Sequence, residues 1–424
     1  MTLHFGRPRR AIPNDGTLKL AFFFGVVPSV AAAWALFWPG RDLLSARGYY
    51  IGQDFVNFWM AGHLGLQGRL TELYDLDAYH MALKSTFSSS IEFMNFSYPP
   101  NALPLLLPLA LLPYGLALLL WHTFGLAALF MCSFAGANRS KIAEFLPYIL
   151  SSPLLVLVIS VGQASCFLAS LFVGALRLLP KRPSLAGALL GLLTVKPQLG
   201  ILLPPALLIL GERRAFIAAG ATAMLLLALS FALFGAQPWR DYFAFTVPYQ
   251  RSVVTQMIGL YPLMMVTPYA GFWALGVPTN VALLLHTLIA IGVAAITCLS
   301  LRWPVDSRLK IVFLGLSSVI VTPYCLDYDL TLPAAAILCW LVPRTSPVPF
   351  PTTLALRAFW AVPLTGVALI RVHLPATPVA VIALFVVLVR QARRELADNA
   401  AGQMMPASKS QPPEPDDRHA LDLT

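Results

Sequence analysis

The chain has 424 residues, a formal net charge of +10, 58% hydrophobic and only 11% charged residues, and a mean hydropathy of +0.73. Soluble domains carry roughly 25% charge, so the composition excludes an ordinary soluble fold and predicts an all-α, polytopic integral membrane protein. The Lys and Arg residues gather at the ends of apolar runs, where they act as topology signals rather than as a nucleic-acid surface. The five cysteines (Cys132, Cys166, Cys298, Cys325, Cys339) are odd in number and form no CxxC, so neither a disulfide framework nor a zinc site is expected. No nucleotide-binding P-loop, HExxH or GxSxG motif occurs, which argues against ATP-driven transport in cis, zincin proteolysis and a hydrolase elbow.

Residues 1–17 are polar and basic (Arg7, Arg9, Arg10) and form an inner N-terminal segment. Residues 18–38 are apolar and long enough to cross a ~30 Å core at about 1.5 Å per residue; a signal peptide ending near Ala31-Ala32-Ala33 is the alternative. The basic flank puts residues 39–97 outside. This is the longest polar interval, and it holds Asp54, Glu72, Asp75, Asp77 and Glu92 among several aromatics, with short interfacial helices expected. In Gln53-Asp54-Phe55-Val56-Asn57-Phe58-Trp59 a carboxylate sits in aromatic company, which disfavours its ionised form and suits a base or ligand; alternatively, Asp54 caps a helix.

A short helix is predicted near 101–112 and a span near 115–135, with Arg139 and Lys141 inside. Two apolar arms between Lys141 and Lys181 break at Gly162-Gln163, and two more between Arg182 and Arg213 break at Lys196-Pro197-Gln198. Basic flanks on both sides make each pair a hairpin with its tip outside; one tilted span over 184–210 competes with the second. A span over 215–234, a second outer loop at 235–256 and an interfacial or re-entrant stretch at 257–276 follow. Further segments run over 278–301, 311–323, 330–342, 354–371 and 375–390. The total is about 12 membrane segments in a domain spanning 18–391, followed by a disordered inner tail at 392–424 rich in Pro, Ser and charge.

Once Lys and Arg have set the topology, the other polar residues fall on one side. Asp54, Tyr98, Gln163, Lys196, Gln198, Tyr324, Asp327, Tyr328 and Asp329 all lie outside, with Gln53 and Trp59 beside Asp54. Arms of about 13 residues reach only about 20 Å, so their tips lie recessed below the outer surface and line a cavity. Charges at membrane depth cost roughly 2.5–3.5 kcal/mol and mark function. Lys196 is the only Lys or Arg in 184–210 and precedes Pro197, which frees backbone groups and bends the chain. It can bind a phosphate, or snorkel to headgroups. Asp327 and Asp329 can pair with it or cap the helix near Leu330. His122 and His286 are expected to pack within helices.

The order QDFxxFWxAGxLxLQG, LYD, YPPxxLxLLxPLALLPYxxALxLW, GQ, KPQLG and YxxDYDL resembles glycosyltransferase family 87, the polyprenol-phosphate-mannose-dependent mannosyltransferase-like proteins of the GT-C superfamily. The resemblance covers most of residues 18–345. It implies a GT-C-type multi-span fold and a polyprenyl-phosphate-linked donor of mannose or another hexose. It further implies a glycan or glycolipid acceptor and an active site on the outer, periplasmic face of a bacterial inner membrane. It implies a catalytic aspartate in the first outer loop, matching Asp54. Many GT-C proteins carry an acidic pair there; here Gln53-Asp54 stands instead, and neither a metal nor a cofactor is expected.

The chemistry fits these residues directly. A sugar joined through its anomeric carbon to a lipid phosphate already has a leaving group, so the needs are a base for the acceptor hydroxyl and a cation for the departing phosphate. Asp54 supplies the base and Lys196 the cation, and direct displacement inverts the anomeric centre. A transporter or flippase shares the spans and broken helices, but no internal repeat accompanies them. A scaffold that has kept the shape and lost activity is a further reading.

Overall fold

The computed structural model describes residues 49–150 and 152–404, with Leu44, Ser45 and isolated positions 27, 30, 31 and 34. The inner segment 1–17, nearly all of the expected first span 18–38 and residues 405–424 lie outside the described residues. Among the described residues the chain is helical, with only two isolated β-bridges, Leu44–Tyr50 and Met265–Leu326.

The polar interval 39–97 carries α1 (Asp54–Leu66) and α2 (Leu76–Thr86), separated by a single turn. Asp75 caps α2 by accepting a hydrogen bond from the Ala78 amide at 2.9 Å. Then come α3 (Tyr114–Phe134), α4 (Arg139–Leu150), α5 (Pro153–Val161), α6 (Ser165–Leu178), α7 (Pro183–Gly191), α8 (Leu203–Ile209) and α9 (Arg213–Phe234). The stretch 235–256 ends in α10 (Val247–Gln256), and α11 (Thr279–Ser300), α12 (Ser307–Val321), α13 (Thr331–Leu341), α14 (Phe350–Ile370) and α15 (Ala376–Met404) follow.

Among the described residues, four segments are able to cross a membrane by length and composition: α3, α9, α11 and Ala376–Asp398 of α15. The number is five if α4 and α5, bent by 66° at their break, form one span. Apart from α14, a continuous helix over Phe350–Ile370, the other apolar stretches read as segments are shorter helices, such as Ser165–Leu178 and Pro183–Val195. Fourteen helical residues rise only about 21 Å, so none of these crosses alone. The helix α15 continues through 392–404, into the segment expected to be disordered. Ala, Arg, Glu and Gln dominate there and are strong helix formers.

Two close approaches position the site. Gly187 and Gly191 on α7 lie against α9; a Cβ on Gly187 would sit 2.1 Å from the Ala215 carbonyl oxygen, and one on Gly191 2.5 Å from that of Ala219. Only glycine lets these backbones meet, as in membrane small-xxx-small packing. That contact anchors the arm ending at Lys196. The second approach is at Gly162, which ends α5 at φ +67. A Cβ there would lie 2.7 Å from the Gly52 carbonyl oxygen and 2.8 Å from Cβ of Phe55. The Trp121 indole donates to the Gly162 carbonyl at 3.0 Å, and the Tyr114 hydroxyl donates to the Ile51 carbonyl at 2.5 Å. The turn before Asp54 and the break before Gln163 are thus both fastened to α3.

This predicts a contrast between two glycines. Gly162→Ala combines a left-handed backbone, about 1–2 kcal/mol, with overpacking, about 1–3 kcal/mol, and should lower the thermal unfolding midpoint in detergent clearly. Gly220→Ala, with nothing within 4 Å, should leave the midpoint unchanged or raised. A Gly162→Ala midpoint equal to wild type would refute the close-approach account.

Candidate active site

Asp54 is the first residue of α1, reached through Gly52 at φ +79 and Gln53 at φ 21. A non-glycine residue at that φ is backbone strain, of the kind found where surrounding structure over-determines a site. Gln53 makes no side-chain cap of α1. The Asp54 carboxylate accepts a hydrogen bond at 2.8 Å from the Gln163 side-chain amide, beyond the break that Gly162 makes. Gln163 is buried, and its Oε1 accepts in turn from the Tyr98 hydroxyl at 3.2 Å and the Ala164 amide at 3.0 Å. With its oxygen doubly occupied, Gln163 can only present its NH₂ to Asp54, which fixes the amide orientation.

Burial pushes the Asp54 carboxyl up to about 6; the Gln163 hydrogen bond and the positive charge of Lys196 oppose the rise, and the negative charge of Asp329 adds to it. Burial also pushes the Tyr98 phenol up to about 12, so it remains a donor at neutral pH.

Lys196 occupies the break between two short 3₁₀ turns, Leu192–Val195 and Pro197–Gly200, with φ −136 and ψ 72. Pro197 cannot continue the helix, and a following proline disfavours the helical conformation at Lys196. Its ammonium is buried, 2.5 Å from Oδ1 of Asp329 and 4.9 Å above the Tyr328 ring centroid. The other Asp329 oxygen accepts from the Leu326 amide at 3.1 Å, so one carboxylate both ends the turn before α13 and holds the lysine. The loop carrying it is tied to the stretch 257–276: the Val266 amide donates to the Cys325 carbonyl at 3.0 Å, and the Thr267 hydroxyl to the Pro323 carbonyl at 3.1 Å.

A cavity of about 480 Å³ joins these groups. Gln53, Asp54, Tyr98 and Gln163 line it from one side, and Lys196, Gln198 and Tyr324 from others. Three expected residues do not line it. Trp59 packs away, its indole donating to the Leu112 carbonyl at 3.1 Å and its ring stacked on His63. Asp329 stands behind Lys196. Asp327 is buried facing a separate water-sized void of about 10 Å³ beside Pro363 and Gly366, with Oδ1 accepting from the Tyr328 amide at 2.8 Å. Among the described residues no three His, Cys, Asp or Glu side chains gather to hold a metal ion.

Sequence reasoning missed Asn57, Glu92, Asn95, Tyr249, Gln250 and Tyr261, all of which line the cavity. Asn57 was discoverable, because residues three apart share a helix face. The others lie on loops and short helices brought together by the fold, and carried no local signal.

Comparison with known proteins places this arrangement. Neither curated proteins nor solved structures give a match. The Glycosyltransferase family 87 model matches residues 96–326, more than half of the 424-residue chain. The matched region includes Tyr98, Gln163, Lys196, Gln198 and Tyr324, whereas Asp54 precedes it and rests on geometry. The chain belongs to glycosyltransferase family 87 and is a membrane glycosyltransferase.

Proposed function

We propose that the protein transfers a hexose, mannose being the family's expectation, from a polyprenyl-phosphate donor to a hydroxyl of a glycan or glycolipid acceptor by inverting displacement. In this reading the GT-C-type domain has about 12 membrane segments, in part broken ones, and the cavity opens to the periplasmic face of a bacterial inner membrane. The observation that carries the reading is that one cavity is lined by both a half-buried, raised-pKa carboxylate and a buried lysine.

The step balances with these two groups. The acceptor oxygen attacks the anomeric carbon, the anomeric carbon–phosphate oxygen bond breaks, and the electron pair leaves with the polyprenyl phosphate. The hydroxyl proton passes to Asp54. The donor is a phosphodiester with one negative charge, and the leaving group is a monoester bearing a second, so charge moves from carboxylate to phosphate. Lys196 stabilises the developing charge. Gln163 orients the Asp54 carboxylate, and Tyr98 holds Gln163. Asp329 keeps the ammonium charged and aimed while the cavity is empty.

Asp54→Asn should lower turnover by about 10²-fold or more while donor binding stays near wild type. Full turnover in folded Asp54→Asn protein would remove the base assignment. A carboxyl near 6 accepts a proton only when ionised, so wild-type kcat/KM should fall about tenfold per pH unit below about 6. A profile flat down to pH 5 would contradict it.

Lys196→Met alone should destabilise the protein by about 3–5 kcal/mol, because it leaves Asp329 buried and unpaired. Lys196→Met combined with Asp329→Leu should restore thermal stability yet remain inactive, separating the cation's chemical part from its structural one. An active double variant would leave Lys196 a structural residue only.

Membrane-impermeant maleimide applied to intact cells should label Ser88→Cys, in the first outer loop, and not Ser346→Cys, beyond the far end of α13. Labelling of both or of Ser346→Cys alone would overturn the orientation.

A further inference from the structure

The cavity has a second wall that the transfer chemistry above does not use. Glu92, Asn95, Tyr249, Gln250 and Tyr261 line it, drawn from three separate stretches of chain. Hydrogen bonds lock these stretches together. The Tyr261 hydroxyl donates to Oδ1 of Asn95 at 3.1 Å, the Asn95 amide donates to the Ser97 hydroxyl at 2.7 Å, and the Gln250 amide donates to the Ser97 carbonyl at 2.8 Å. The wall is therefore rigid before any ligand arrives, which reduces the ordering cost of binding. Glu92 stands apart: its half-buried carboxylate faces the cavity, and among the described residues no group is hydrogen-bonded to it. Beside it the cavity opens past Phe93 and Leu260, which are 47% and 54% exposed.

The chemistry of this wall discriminates between ligands. Phenol rings give flat apolar faces for the C–H face of a pyranose, and their hydroxyls reach its polar edge. A free carboxylate and planar amides accept and donate to adjacent hydroxyls. A phosphate or carboxylate meets a like charge at Glu92 and is disfavoured. Among the described residues lining the cavity Lys196 is the only Lys or Arg, so a phosphate has its partner there and not at Glu92.

We propose that Glu92, Asn95, Tyr249, Gln250 and Tyr261 form the acceptor subsite, and that it selects an uncharged pyranose whose hydroxyls are gripped by Glu92, disfavouring a uronic acid. The assignment rests on the transferase reading for its name as an acceptor site, but its ligand chemistry is testable without turnover.

The experiment uses the full chain in lipid nanodiscs free of sugar-based detergent. Binding of methyl glucoside, methyl galactoside, methyl mannoside and methyl glucuronide is measured by saturation-transfer NMR without donor. Acceptor and donor KM are then measured with a polyprenyl-phosphate hexose. Wild type should bind at least one neutral glycoside about tenfold or more tighter than the glucuronide. Glu92→Gln, isosteric and on a half-exposed loop, should weaken neutral-glycoside binding and raise acceptor KM about tenfold, abolish the preference over glucuronide, and leave donor KM unchanged. Tyr261→Phe should raise acceptor KM several-fold and likewise spare donor KM. Equal binding of glucuronide by wild type, or an active Glu92→Gln enzyme with unchanged acceptor KM, would overturn the subsite. Glu92-dependent glycoside binding without any transfer would instead sink the transferase mechanism and leave the subsite standing. Absence of both binding and transfer would sink both.

Discussion

A lysine ammonium at the buried end of a broken apolar helix needs an anion, because an uncompensated charge there costs several kcal/mol. Lys196 finds it in Asp329, 133 residues later in the chain. That single pair constrains much of what surrounds it. It joins the α7–α8 break to the loop between α12 and α13. The bonds from Val266 and Thr267 to that loop then bring in the stretch before α11. A hydrophobic pair of similar volume would meet the packing requirement at least as well, so stability alone does not account for a buried charge beside a cavity. The proposed donor phosphate would supply a reason for it.

The broken helices follow from the same constraint. Backbone groups freed at membrane depth are tolerated only where protein or a water-filled cavity satisfies them. Gly162-Gln163 and Lys196-Pro197 meet that condition because both breaks reach one cavity. Gly162 adds a steric requirement: it lets the end of α5 touch the turn before α1, and that contact brings the Gln163 amide to the Asp54 carboxylate. The polar chain from Tyr98 through Gln163 to Asp54 thus depends on a missing side chain as much as on those present.

Part of this was legible from residue order. A proline after the only lysine of an apolar run located the second break, and a glycine before a glutamine located the first. Helix geometry was enough to refine α1 as well. Trp59 stands five residues past Asp54, about 140° around the helix, whereas Asn57 and Phe58 share its face; the structure turns Trp59 to Leu112 and Asn57 to the cavity. The Asp327 and Asp329 roles were not separable, since both lie in one polar turn and only the fold decides which faces Lys196. Glu92, Gln250 and Tyr261 come from distant stretches of chain that only the fold brings to one cavity, which no local pattern encodes. At the C-terminal end, charged and polar composition read as disorder, while good helix formers extend α15 to Met404.

The family match begins beyond Asp54, so the chemical role of that carboxylate rests on its position: raised in pKa, oriented by a fixed amide, and on the same cavity as Lys196. If Asp54 is a base in a single displacement, no sugar is ever bonded to the protein. If it is instead a nucleophile, a covalent intermediate forms and two inversions cancel. The most direct measurement is the anomeric configuration of the transferred sugar, determined by NMR on product made from a polyprenyl-phosphate hexose of known configuration. The account predicts the opposite configuration to that of the donor; a product that retains the donor's configuration would contradict it.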